Sequence, residues 1–517
     1  MLRGQQIMDW RDLNPDEVDL LFGARLARYS PTPFSTWTTG TTGPYWTYLL
    51  LGLNALGAPM TLAFSHLLAA VITGVMATVL FTVIAREVDR RLAALFAICW
   101  WFPLAAIFPI GIPTDFGALS TEYLPMALIV LSALVTRNQL AQRRWLFAVV
   151  GLFAGLAVGS KFQAAPVALA FLIAQLIVMK PTVGRCTRYV AWWLLGVATP
   201  FTALVVAIWR SKATNWVLIE QTLSFLRSYS GSEEVSLQEK LLRTGTAFIA
   251  PSLYLLVLAG IIAFLAGRSS SRSNVARSVL IAGGLIAVLI GGHGFPHYLI
   301  FVFGTVGLAA SLPILPQPTL VSDRAPSVRI LQVTTLIAVT LISVFGVTAG
   351  LWRPLPPRMA AAALSPESVI ANPTMTRYCP PESRALVWGW ASEFAIAQNW
   401  KSTIPYPNIY GIAIDPEIRE SAEPVFRHGI ESARCVLDAT NLARSCPPPA
   451  ARPPHPIGFC LPPTVMLSKL YPQLWEIVTR EFHPVAITAG CNGCLFYVRS
   501  TDTLSSRSGS APRRNEK

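Results

Sequence analysis

Charge is what this 517-residue chain has least of: Asp, Glu, Lys and Arg make up 13% of it, against about 25% in a soluble globular protein. An ordinary water-soluble enzyme is thereby excluded. The chain also lacks a P-loop, a dinucleotide-binding glycine fingerprint and an HExxH zinc motif, so none of those chemistries has a foothold in it. No repeat recurs at a fixed period, which removes solenoids and propellers. Its 40 prolines and 34 glycines argue against one uninterrupted coil.

What fills the chain instead is apolar residue, 53% of the total. A bilayer core takes about 20 such residues per helix. The stretch 61–351 offers ten runs: 62–84, 92–110, 122–136, 145–160, 163–179, 189–209, 246–267, 278–292, 296–315 and 330–350. The runs 122–136 and 278–292 are short and are expected to borrow from their loops.

The net charge of +14 arises from 41 Lys and Arg against 27 Asp and Glu. In so apolar a chain the surplus reads as positive-inside bias rather than as affinity for nucleic acid, and no nucleic-acid partner is expected. Three cations fall in each of the loops 85–91, 137–144, 180–188 and 267–277, and two in 323–329. Those loops are assigned to the cytoplasm. The segment 1–61, the loop 111–121, the turn near 160–163, the segment 210–245, the turn 292–296 and everything after 351 then face outward. An outward first segment of about 60 residues with no span before it leads us to expect a missing or lost first helix.

Six of the eight cysteines (Cys379, Cys435, Cys446, Cys460, Cys491 and Cys494) lie beyond 351, on the side where disulfides persist. Their pairing is open apart from Cys491 with Cys494, whose intervening Asn-Gly favours a tight turn. A zinc site using that pair with Cys460 or His483 is the rival reading. The chain divides into an outer first loop with amphipathic helices (1–61), a transmembrane module (62–351), a Pro/Ala/Arg-rich linker (352–375), a disulfide-containing outer domain (376–500) and a Ser/Arg-rich disordered tail (501–517). Strand-like runs at 385–390 and 495–499 make the outer domain α/β. The fold class is an all-α polytopic membrane protein of about ten transmembrane helices, with a small C-terminal α/β extracytoplasmic domain.

Ionisable residues at membrane depth or at helix mouths are costly, so their placement is informative. Here they gather on the outward side: Asp16 and Glu17, Asp115, Glu122, Lys161, and His293 and His297. Such a rim suits transfer of a sugar from a lipid-linked phosphate, because an acceptor hydroxyl needs a nearby general base and a leaving phosphate needs cations aimed at it. Each residue also has an ordinary reading. Asp16, after Asn14-Pro15, fits a helix N-cap. Asp115 fits a turn or cap. Lys161 fits a snorkelling anchor, and the two histidines fit a hydrogen-bonded turn.

At these residues the sequence resembles a known group. Asn14-Pro-Asp-Glu, Gly43-Pro-Tyr, Asp115-Phe, Ser120-Thr-Glu-Tyr-Leu-Pro, the run from Gly151 to Lys161-Phe-Gln, and Phe295-Pro-His-Tyr are similar, in that order, to the GT-C glycosyltransferases. The branch is the one containing protein O-mannosyltransferases and the lipid A aminoarabinose transferase, and the similarity covers residues 14–310. The resemblance implies Asp16 as catalytic base with Glu17 as neighbour or substitute. It implies Asp115 and Glu122 positioning the acceptor or a divalent metal ion, and Lys161 near the donor phosphate, where His293 and His297 are further candidates. It also implies a polyprenyl-phosphate sugar donor, an acceptor hydroxyl on glycan, lipid or protein, and inversion at the anomeric carbon. A bacterial inner membrane is the expected location. The competing readings are a transporter or flippase for a lipid-linked or anionic substrate, and a silent scaffold. The first calls for mid-span charges and paired halves, of which the sequence shows few and none respectively.

Overall fold

The computed structural model describes residues 14–35, 37–38, 42–87, 116–135, 137–231, 270–291, 295–312, 372–389, 391–406, 416–440, 466–487 and 494–500, with isolated positions between them. Among the described residues, two helices precede the first long one. Helix α1 (Pro15–Ala27) begins where Asn14 accepts a hydrogen bond at 2.8 Å from the Asp16 amide and Pro15 takes the first helical position. Asn14 is thus the cap, and Asp16 sits inside the first turn with its carboxylate released from capping, so the ordinary N-cap reading of Asp16 does not describe it. Helix α2 (Pro44–Ala55) likewise starts on a proline.

The apolar helices follow: α3 (Leu62–Glu87), α4 (Tyr123–Ser132), α5 (Leu146–Ser160), α6 (Ala165–Met179), α7 (Val183–Arg210), α8 (Trp216–Gly231), α9 (Ser271–Gly291) and α10 (Leu299–Ala310). Among the described residues, four helical stretches are long and apolar enough to cross a bilayer: Leu62–Arg86, Phe162–Met179, Val183–Arg210 and Ser271–Ile290. The expected runs 92–110, 246–267 and 330–350 lie wholly or mostly outside the described residues. Two boundaries differ most from expectation. Helix α7 starts at Val183, drawing Arg185, Cys186 and Arg188 out of the loop 180–188. Helix α9 starts at Ser271, drawing in Arg272 and Arg277.

Arg277 explains the second extension. Its guanidinium is buried and donates to the carbonyls of Ala309 (3.1 Å) and Leu312 (3.0 Å) at the end of α10, and to Asn274 (2.9 Å). It therefore supplies cationic donors to the negative end of a neighbouring helix instead of serving as a loop cation.

Close helix packing is built on glycine. A β-carbon on Gly151 would strike the Trp193 carbonyl, and one on Gly196 the Ala148 carbonyl, so α5 and α7 approach backbone to backbone. Gly151, Gly155 and Gly159 form a small-residue seam at four-residue spacing. At its end, Gly159 receives the Tyr45 ring, and the Tyr45 hydroxyl donates to the Pro200 carbonyl at 2.6 Å. The Gly43 amide donates to Ser160 at 2.8 Å. The Gly-Pro-Tyr motif thereby fixes the residue after Ser160, which is Lys161. On α7, Leu194, Leu195, Val205 and Trp209 remain exposed, an apolar surface suited to lipid.

The C-terminal portion is a five-stranded sheet in the order β2-β1-β3-β5-β4, formed by β1 (Arg384–Trp388), β2 (Lys401–Ser402), β3 (Cys435–Asp438), β4 (Phe482–Val485) and β5 (Leu495–Arg499). Strands β2, β1 and β3 are parallel, and β5 and β4 are antiparallel additions. Helices α11 (Pro416–Ser432) and α12 (Pro472–Glu481) accompany the sheet. Arg25 on α1 ties this portion to the helices, donating to Ile396 at 2.9 Å and to Met60 at 3.1 Å. A second tie runs from α8, where Gln221 donates to Ser421 on α11 at 2.9 Å. Beside the Tyr29 ring that follows α1, Lys401 lies 3.0 Å from Glu382, and that hydrogen bond holds the Glu382 carboxyl below the usual carboxylate range.

Cys379 and Cys435 form a disulfide that closes 56 residues, with Cα atoms 6.3 Å apart and both residues buried. This pairing was one of the open alternatives. Cys494 is also disulfide-bonded, which withdraws it from any zinc site, while Cys491 lies outside the described residues. A bond closing a loop of that length stabilises by about 4 kcal/mol. The double substitution Cys379→Ala, Cys435→Ala is therefore expected to accelerate amide hydrogen exchange throughout β1 and β3. Unchanged exchange there would show that packing alone holds the sheet.

Candidate active site

Four side chains from four separate elements meet at one end of the helices. Asp16 comes from the first turn of α1 and Glu122 from the turn preceding α4. Lys161 comes from the extended residue that ends α5, and His297 from the single 3-10 turn Pro296–Tyr298 before α10. Lys161 Nζ lies 2.5 Å from Glu122 Oε1 and 4.0 Å from Asp16 Oδ2. His297 Nε2 lies 3.9 Å from both Asp16 Oδ2 and Glu122 Oε2.

Thr121 sits among them. Its Oγ1 accepts a hydrogen bond from Lys161. It then has one proton to give, to Asp16 Oδ2 at 3.3 Å or to Glu122 Oε1 at 3.1 Å. The backbone at Thr121 is pinned in turn, because the fully buried Trp46 donates its indole N–H to the Thr121 carbonyl at 2.8 Å. Ser120 donates to the other Glu122 oxygen. Aromatic rings wall the cluster: Tyr298 lies 5.3 Å from Lys161 Nζ, and Phe295 stacks on His297 at 5.2 Å between centroids.

Exposure separates the roles. Side-chain exposure is 0% for Glu122, 4% for Lys161, 7% for His297 and 24% for Asp16. Asp16 is the member of this group most open to a substrate. Lys161 is buried and paired rather than snorkelling to an interface, so the anchor reading does not describe it. Glu17 points elsewhere: its oxygens meet His66 Nε2 at 3.0 Å and the Leu119 amide at 2.9 Å, and it is fully buried. Asp115 and His293 lie outside the described residues.

A divalent metal was a candidate here. Among the described residues no group of three His, Cys, Asp or Glu side chains is arranged to hold one, and the Lys161 ammonium lies in ion-pair range of both carboxylates. The described residues do not make a metal shell.

His66, Thr121 and Tyr298 escaped the sequence reading. His66 had a signal, since an ionisable residue inside the apolar run 62–84 marks a site on cost alone. Thr121 and Tyr298 had none beyond adjacency to Glu122 and His297.

No family model matches this sequence, and no curated protein matches it. The fold does have relatives of known structure. The crystal structure of ArnT from Cupriavidus metallidurans in the apo state is similar with a TM-score of 0.55 and 12% identity, covering 95% of this chain and 94% of that one. The same protein bound to undecaprenyl phosphate gives a TM-score of 0.52 and 13% identity, covering 95% of both chains. Over nearly its whole length, the chain shares the fold of that protein.

Proposed function

We propose that the protein is an integral-membrane glycosyltransferase that moves a sugar from a polyprenyl-phosphate donor to an acceptor hydroxyl on the outer face of a bacterial plasma membrane. The observation that carries this reading is one reachable carboxylate, Asp16, beside a buried cation, Lys161, at the ends of apolar helices. The shared fold supports it, as does the undecaprenyl phosphate bound by the structural relative.

In the reaction, the acceptor O–H gives its proton to the Asp16 carboxylate. The acceptor oxygen forms a bond to the anomeric carbon, and the bond from that carbon to the phosphate oxygen breaks. Polyprenyl phosphate leaves with the electron pair, facing Lys161 and, when protonated, His297. Attack opposite the leaving group inverts the anomeric centre. Thr121 orients Asp16, while Glu122 holds Lys161 in place. A base placed in this way contributes roughly 10²–10⁴-fold, and charge-assisted donors at the leaving phosphate contribute further. The ionisable groups stand at helix ends rather than mid-span, which favours surface chemistry over passage through the bundle. The 376–500 portion, tied to α1 through Arg25, is assigned to acceptor recognition.

Purified protein in lipid, given a panel of polyprenyl-phosphate sugars and alternative acceptors, is expected to release polyprenyl phosphate from at least one of them and to form a product of inverted configuration. Absence of release across the panel would remove the enzyme reading, and a retained configuration would remove the direct displacement.

A further inference from the structure

We propose that His66, acting through Glu17, is a positioning residue for the Asp16 site; this rests on the glycosyltransferase reading above. Adjacent residues on a helix point about 100° apart, so α1 sends Asp16 toward the open cluster and Glu17 into the protein. Both Glu17 oxygens are engaged there. One accepts the Leu119 amide at 2.9 Å and the other meets His66 Nε2 at 3.0 Å. Glu17 is 0% and His66 3% exposed, so the contacts form in a dry junction where hydrogen bonds hold geometry tightly.

Three elements are locked at that junction: the start of α1, the backbone three residues before Glu122, and the outer end of α3. The same turn, 119–122, returns to α1 on the other side through the Thr121 hydroxyl and Asp16. One turn of α1 is thus gripped twice, by Leu119 at Glu17 and by Thr121 at Asp16. The first grip depends on the direction of the Glu17 carboxylate, which His66 sets. Without His66, Glu17 can rotate, the 119–122 turn is freed, and the distances among Asp16, Thr121 and Lys161 loosen together. A shift of about 1 Å at reacting groups is worth up to roughly 100-fold in rate.

A purely structural histidine would change protein yield and melting temperature while leaving the catalysis of the surviving folded protein alone. A positioning one changes kcat. The test uses full-length protein in lipid with whichever polyprenyl-phosphate sugar the wild type turns over, and compares His66→Leu, His66→Gln and Glu17→Gln at equal folded concentration. His66→Leu is expected to lower kcat about 10- to 100-fold with the donor KM within about twofold. His66→Gln, which keeps a donor toward Glu17, is expected to recover most of that loss. Glu17→Gln, which can still accept from Leu119 and bond to His66, is expected to stay within about tenfold of wild type. Added to Asp16→Asn, His66→Leu is expected to cost nothing further, because residues acting as one unit are non-additive.

If His66→Leu fails to fold, His66→Ala takes its place with the same expected loss of kcat and the same recovery in His66→Gln. Unchanged kcat in the folded Leu or Ala variant overturns the inference while leaving the reaction intact. So does a Glu17→Gln loss as deep as that of Asp16→Asn, which would make Glu17 a catalytic residue in its own right. A wild type that releases no polyprenyl phosphate removes the reaction, and this inference with it.

Discussion

Replacing Asp16 with asparagine is expected to lower transfer by about 10²–10⁴-fold while the protein still folds and inserts. The change is isosteric. The amide oxygen can still accept from Thr121 Oγ1, now at 3.3 Å from Asp16 Oδ2, and the cap of α1 is untouched because Asn14 provides it. What is lost is the negative charge and the capacity to take a proton. Donor binding should persist, since Lys161 keeps its closer partner Glu122 at 2.5 Å. Added polyprenyl phosphate is therefore expected to protect wild type and variant alike against thermal unfolding, while the variant releases it about 10²–10⁴-fold more slowly during turnover. Single-turnover assays, with polyprenyl-phosphate binding measured alongside, separate the two effects. Activity within tenfold of wild type would mean that another group accepts the proton.

The helices were legible where apolar residues run without interruption, because in hydrocarbon the backbone has no partner but itself. Their ends were harder to read. Arg277 counted as a loop cation because nothing local marks it otherwise, and its acceptors are carbonyls more than thirty residues away, at Ala309 and Leu312. The cap of α1 went to Asn14 rather than Asp16 for a local reason: proline at the first helical position puts the capping role on the residue before it. The cluster was legible as a set, since the few ionisable residues near helix mouths are conspicuous in a chain with 13% charge. The pairings within it were not. That Glu17 turns inward to His66 while Asp16 stays reachable depends on how α1 lies against α3 and the 119–122 turn, and no spacing rule encodes that. The Cys379–Cys435 bond was hidden for the same reason, as it joins the approach to β1 with the start of β3 across a parallel pair.

Lys161 carries the second large effect, on stability and activity together. Glu122 is fully buried, and its strongest partner is the Lys161 ammonium at 2.5 Å. Lys161→Ala leaves that carboxylate with the Ser120 hydroxyl, the Thr121 hydroxyl whenever it turns from Asp16, and His297 at 3.9 Å. Removing one partner of a buried ion pair costs about 3–5 kcal/mol, whereas replacing both by apolar residues of similar size is often neutral. Lys161→Ala is therefore expected to lower the thermal midpoint markedly, and the pair Lys161→Met, Glu122→Leu to restore most of it. Transfer is expected to be absent from both, because neither presents a cation to the leaving phosphate. The contrast is the point of the experiment. Stability follows the balance of charge, which the double variant repairs, while catalysis follows the presence of the ammonium, which it does not. A double variant that is stable and still transfers sugar would take Lys161 out of the donor site and leave it as a structural ion. A Lys161→Ala protein as stable as wild type would mean that water reaches Glu122, and the dry cluster described above would have to be redrawn.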